Sequence, residues 1–303
     1  MSPDDKKNNN AKVVLRFGNE LLLETKERKI FRCFVRKLYK DIVTGDLVSY
    51  KIINKDAVID KLHERQNFLQ KKDTYGKTKT LASNIDHIFV VIALQPKPQW
   101  ELLDQYLVAA TNMPAECSII INKVDLDKNF MLSEIGYDLK TFTNLKYPIY
   151  ITSAHNGVGL KKLNNNLKDS VNIFVGQSGV GKSSLINALI PDQQIRVGQL
   201  SDASGSGKHT TTNVALYNLA HGGQILDSPG VRIFEPNITD LDQIDRGFIE
   251  IDQHRNKCKF NNCRHVNEPK CAVKQAIEEN RIDARRYASY LKMCDQLKIR
   301  KNY

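Results

Sequence analysis

FVGQSGVGKSSLINALI, residues 174–190, reads as a strand end, a glycine-rich turn and a helix start. Within it lies Gly-x-x-x-x-Gly-Lys-Ser, the pattern of a phosphate-cradling loop. Gly176, Gly179 and Gly181 free the backbone to curl, so that successive N–H groups point into one concavity. The helix that starts near Lys182 aims its positive end at the same place. Lys182 brings charge to the β- and γ-phosphates, and the Ser183 hydroxyl is placed for Mg2+. VNIFV before the turn and SLINALI after it supply the strand and helix that such a loop requires.

Upstream, INKVDL at residues 121–126 contains Asn-Lys-Val-Asp, a pattern with guanine chemistry. The Asp125 carboxylate can accept two hydrogen bonds, from N1–H and from the exocyclic amine. Adenine has no matching donor pair and would leave that carboxylate unsatisfied. Asn122 can read the other edge of the base, and the aliphatic stem of Lys123 packs on its face. TSA at residues 152–154 follows the strand-like YPIYI, and in GTPases that loop, here Ser153 and Ala154, offers a backbone N–H to the guanine oxygen. Downstream, SGKHTTTN at residues 206–213 is a polar segment able to close over a nucleotide. One of Thr210, Thr211 and Thr212 is suited to Mg2+. LDSPG at residues 226–230 adds Asp227 for the outer shell of Mg2+ and the Gly230 N–H for the γ-phosphate. The boxes run base, TSA, phosphate loop, threonines, DSPG. That is the ordinary GTPase order cut and rejoined, so the sequence predicts a circularly permuted α/β P-loop GTPase.

This order, with the wording GQSGVGKSSLIN, KHTTT and DSPG, resembles the bacterial small-ribosomal-subunit-dependent GTPase A family. The resemblance extends over nearly the whole chain, and VTGDLVSYK is similar to the family's OB-fold segment. It implies an OB-fold, a permuted GTPase and a zinc domain, with GTP/GDP and Mg2+ as ligands. It also implies late maturation of the small (30S) ribosomal subunit, rRNA as a partner, and hydrolysis stimulated by that subunit. The family's nucleotide residues carry over to Asn122, Lys123, Val124 and Asp125. They carry over equally to Gly176, Gln177, Ser178, Gly179, Val180, Gly181, Lys182, Ser183 and Ser184. Ser228 stands where the family commonly has Thr.

Composition agrees with this. A chain of 303 residues suits two or three domains, and no apolar run approaches the 18 or more residues of a membrane span. MSPDDKKNNN is polar and lacks the apolar core of a signal peptide, so a cytoplasmic protein without a membrane partner is expected, as a monomer. Residues 1–80 carry a net +8, residues 81–254 a net −5 and residues 255–303 a net +8. Two basic ends around an acidic middle favour nucleic acid as a partner.

Short β-type runs separated by turn signals predict an all-β OB-fold barrel at residues 11–72, after a disordered tail at 1–10. Residues 73–84 read as a basic flexible linker. Alternating apolar strands and helices predict the permuted GTPase domain at 85–238. The rest, 239–303, is read as a zinc-binding and helical C-terminal domain with two helical stretches. Its Cys258, Cys263, His265 and Cys271 form Cys-x4-Cys-x-His-x5-Cys, three thiolates and an imidazole, a closed ligand set for structural Zn2+. Cys33, Cys117 and Cys294 are scattered and read as packing residues.

The catalytic residue is the least determined. Many GTPases carry a water-orienting glutamine just after DxxG, but Val231 stands there. His209 is the best substitute, and a solvated loop histidine is an equal reading of it. Two functions follow: a GTP-hydrolysing assembly factor, or an RNA-binding adaptor in which GTP is structural and turnover incidental.

Overall fold

The computed structural model describes residues 9–35, 37–53, 56–72, 78–190, 214–227 and 238–301. Of the residues singled out above, His209, Thr210, Thr211, Thr212, Ser228, Gly230 and Val231 lie outside that set.

The N-terminal strands are β1 (Asn9–Phe17), β2 (Glu20–Thr25), β3 (Ile30–Phe34), β4 (Leu47–Ile53) and β5 (Asp56–Leu62). β1 pairs antiparallel with both β2 and β4, β2 with β3, and β4 with β5, while β3 meets β5 in parallel. The circuit β1-β2-β3-β5-β4-β1 closes a five-stranded barrel, so the expected OB-like barrel is present. Val13, Leu21, Leu23, Cys33, Val48, Tyr50 and Ile59 fill its interior. A register shift between Val13 and Leu15 bends β1.

β6 (Phe68–Lys72) and β7 (Thr78–Ser83) form an antiparallel hairpin, so the segment read as a flexible linker contributes a strand. Buried Asp46 ties that hairpin to the barrel. Its carboxylate accepts from Ser83 Oγ at 2.6 Å, Arg65 Nε at 2.7 Å and Val43 N at 2.8 Å.

The chain continues through β8 (His87–Ala93), α1 (Trp100–Thr111), β9 (Glu116–Asn122), α2 (Glu134–Asn144) and β10 (Ile149–Ile151). Then come α3 (Leu160–Asn165), β11 (Val171–Val175), α4 (Lys182–Leu189), β12 (Ala215–Asn218) and β13 (Gln224–Asp227). Every residue of β8 and β11 is buried, as in strands covered on both faces.

Two compact units result. The first holds the described residues of Met1–His87, Leu160–Val175 and Ser183–Glu235. In it β11 runs parallel to β13, and β12 pairs antiparallel with β13. β12 also meets β1 at Ala215 and Leu15, so the barrel and the β12–β13 pair join edge to edge at one residue pair. A partly buried polar set secures that junction: Glu24 accepts from Asn218 Nδ2 at 2.5 Å and Gln224 Nε2 at 3.0 Å, and Lys12 Nζ donates to Gln224 Oε1 at 2.8 Å.

The second unit holds Ile88–Gly159, Gly176–Lys182 and Pro236–Tyr303, again in their described residues. β9 and β10 are parallel, with Ile119 opposite Ile149. Its C-terminal part contains α5 (Leu241–Gly247), α6 (Ile249–Arg255), α7 (Ala272–Glu278) and α8 (Ala284–Lys301). The two helical stretches expected from the sequence, AVKQAIEEN and ARRYASYLKMCDQLK, are α7 and α8; α5 and α6 come in addition. Asp240 caps α5 by accepting from Gln243 N, and buried Phe248 separates α5 from α6. Val108 of α1 shares a core with Ile244, Phe248, Ile251, Val273 and Tyr290.

Candidate functional site

Gly176 is the first residue of the phosphate loop. Its φ is +137°, and a Cβ there would lie 2.2 Å from the Val91 oxygen, so only glycine fits. The loop continues through Gln177, Ser178, Gly179 and Val180 to Gly181, whose missing Cβ leaves room for Asn122 Nδ2, 2.4 Å from the position a Cβ would take. Lys182 is buried, and its ammonium donates to the Gly176 oxygen at 2.6 Å and the Gln177 oxygen at 2.7 Å. Ser183 and Ser184 follow it, exposed, in the first turn of α4.

The base box closes on this loop. Asn122, buried at the end of β9, donates through Nδ2 to the Val180 oxygen at 2.9 Å. Lys123 adopts φ 62° and sends Nζ to the Gly179 oxygen at 2.7 Å. The base-reading segment and the phosphate loop, apart by more than fifty residues, are thus joined by two side-chain contacts. Val124 is buried beneath them, its N–H donating to the Thr152 oxygen at 3.3 Å.

The structure adds a role for Ser153 that the sequence reading missed. Its hydroxyl donates to Asp125 Oδ1 at 2.5 Å, and this bond above all holds the carboxyl below its usual range. Asp125 is therefore ionised and oriented, with Oδ1 taken by Ser153. Ala154 N–H donates to Asn122 Oδ1 at 3.1 Å, and Ser153 N–H to the Val158 oxygen at 3.0 Å. Both TSA-loop amides named for the base thus have protein acceptors here. Asp227 ends β13 in the other compact unit.

The second candidate site is the cysteine cluster. The ligand atoms of Cys258, Cys263, His265 and Cys271 all lie within 4.8 Å of one another. Cys258 Sγ is 3.8 Å from Cys271 Sγ, and His265 Nδ1 is 3.6 Å and 3.4 Å from those two sulfurs. Bonds of about 2.3 Å to sulfur in a tetrahedron separate two sulfurs by about 3.8 Å. The donor set therefore fits one Zn2+. Glu268 shapes the loop by accepting from the N–H groups of Arg264, Val266 and Asn267, and the Tyr287 hydroxyl donates to the His265 oxygen. Cys33, Cys117 and Cys294 stand outside the cluster; burial raises the Cys117 thiol to about 12.

Comparison with known proteins agrees with this geometry. The model of the RsgA GTPase family matches residues 62–237. The fold is similar to YjeQ from Thermotoga maritima, at 31% identity over 95% of this chain and 98% of that one, with a TM-score of 0.79. It is also similar to YloQ, described as a circularly permuted GTPase, at 27% identity over 99% and 98% of the two chains, with a TM-score of 0.77. Among the described residues, no helix is long and apolar enough to cross a membrane.

Proposed function

The chain belongs to the RsgA GTPase family, and from that premise we propose that it acts in late maturation of the small (30S) ribosomal subunit, binding ribosomal RNA with an affinity set by its nucleotide. It is a circularly permuted GTP hydrolase. The family implies GTP or GDP with Mg2+, and the cysteine cluster is compatible with one zinc.

In the proposed mechanism, Asp125 and Asn122 select guanine while the amides of residues 176–181 hold the phosphates. Lys182 balances the charge that grows on the β–γ bridge as water attacks the γ-phosphorus and GDP leaves. Ser183 and one threonine of 210–212 are the proposed Mg2+ ligands, with Asp227 behind them. Mg2+, when bound, neutralises phosphate charge. Gly230 is proposed to hold the γ-phosphate, and His209 to orient the water. These last roles rest on the sequence alone. The domain limits proposed are 11–72, 85–238 and 239–303, except that β1 begins at Asn9, inside the segment read as the tail at 1–10, and β7 lies within the connection 73–84.

The RNA reading is carried chiefly by the barrel. Ile30, Arg32 and Phe34 alternate along β3 and are all exposed, Phe34 by 58%. A cation between apolar side chains on an OB-type strand suits stacking and phosphate contact with single-stranded RNA. The test is GTP turnover with and without purified small subunits. Turnover should rise with subunits, and subunits should bind the GTP form more tightly than the GDP form. Equal affinity in both forms would favour the adaptor reading.

A further inference from the structure

Gln224 opens β13 and is held by several strands at once. Both protons and the oxygen of its side-chain amide are engaged. Nε2 donates to Glu24 of β2 at 3.0 Å and to Asn218 of β12 at 2.9 Å, while Oε1 accepts from Lys12 of β1 at 2.8 Å. Its backbone N–H donates to the Ser170 oxygen at 2.8 Å, and its own oxygen accepts from Asn172 Nδ2 of β11 at 3.1 Å. Glu24 is buried, and its other carboxylate oxygen takes Asn218 Nδ2, so the polar groups form one closed set. The far end of β13 is tied to the barrel as well. Asp227 lies across from Ala215 of β12, and Ala215 lies across from Leu15 of β1. Next to that ladder the buried Thr44 donates through Oγ1 to the Val214 oxygen at 2.8 Å.

β13 is only four residues long, its middle residues Ile225 and Leu226 are buried, and it is paired on both edges, with β11 and β12. A strand held that way cannot shift at one end without moving the other. Ser183 and Asp227 offer a hydroxyl and a carboxylate, hard oxygens of the kind Mg2+ takes, and both belong to the same compact unit as the barrel. We propose that Gln224 is a positioning residue for GTP hydrolysis. With Thr44 at the opposite end it clasps β13 to the barrel, and the clasp sets where Asp227 stands for the Mg2+ of the nucleotide. The barrel is then the scaffold for the metal side of the site. The inference rests on the Mg2+ reading of Asp227 given above.

The test uses the full chain and a fluorescent, non-hydrolysable GTP analogue, whose binding is followed as Mg2+ is titrated. Gln224→Met keeps the length of the side chain and removes its hydrogen bonds. It should raise the Mg2+ concentration at half-saturation about fivefold, the scale of one hydrogen bond. Thr44→Val removes one hydroxyl at the other end, should act in the same direction, and carries the test should Gln224→Met fail to fold. Asp227→Asn sets the scale, with a rise at least as large. Analogue affinity without Mg2+ should stay within about twofold in Gln224→Met and Thr44→Val, because the base box is intact. Their GTP turnover should recover as Mg2+ is raised, which a loss of packing would not allow. An unmoved midpoint in either variant, beside a raised one in Asp227→Asn, would overturn the proposal. So would a lower Tm together with analogue affinity lost in the absence of Mg2+, the mark of a packing residue. A midpoint unmoved in Asp227→Asn would instead sink the Mg2+ reading of Asp227 itself.

Discussion

Asp125 is the residue on which base choice turns. Replacing it by Asn should weaken GTP by about 10⁴-fold and favour xanthosine triphosphate, since a site built around specific donors rejects an analogue lacking them. Competition binding with both nucleotides checks this, and unchanged GTP affinity would end the assignment. Ser153 adds a pH signature. Its hydroxyl lowers the Asp125 pKa, so the ionised, guanine-binding form persists as pH falls through the ordinary aspartate range of about 4. In Ser153→Ala the carboxyl should move back up and GTP affinity should fail at higher pH, as titrating Kd downward from pH 7 would reveal. Asp125 was legible because four residues in a row carry its chemistry. Ser153 was assigned only through its loop's backbone, because no spacing rule records a bond spanning 28 residues.

At the scale of elements, apolar runs announced β8, β9 and β11 and the amphipathic stretch announced α1. LDQIDRG and IEIDQHR gave no such signal, being short, charged and split by Phe248. The same limit hid the fate of the C-terminal arginines. They read as a basic face, yet Arg286 is fully buried and Arg255 pairs with Asp242 and Asp252. Part of the +8 in residues 255–303 is thus spent inside the fold, and RNA can meet only the remainder. Breaking the buried cluster should be costly. Arg286→Ala leaves Asp104 and Glu250 facing each other without that cation, at about 3–5 kcal/mol of stability. Denaturant unfolding would measure it, and a loss below about 1 kcal/mol would mean the pair is dispensable.

For the whole molecule, zinc is the sharpest test of how its parts depend on one another. Purified protein should hold about one zinc, and Cys258→Ser or His265→Ala should release it and loosen residues 255–303 to protease, while GTP binding largely survives. Burial raises Cys263 to about 12 and Cys271 above its usual value, whereas His265 is lowered and already neutral near pH 7. Metal must therefore displace thiol protons, so zinc should be held more tightly as pH rises and be lost on acidification. Chelator competition at pH 8 and pH 5.5 checks the sign, and a pH-independent affinity would contradict the thiolate set.

The pairing of β1 with β12 also has a history in time. On the ribosome that makes this chain, β1 to β5 emerge first and can close at once, their pairings being confined to residues 9–62. The outer edge of β1 near Leu15 must then wait for Ala215, some 150 residues later. At about 5–20 residues per second, that leaves an unpaired edge open for about 8–30 s of synthesis. The newborn barrel therefore carries its own aggregation hazard, and the interval lasts until its GTPase hairpin has been translated.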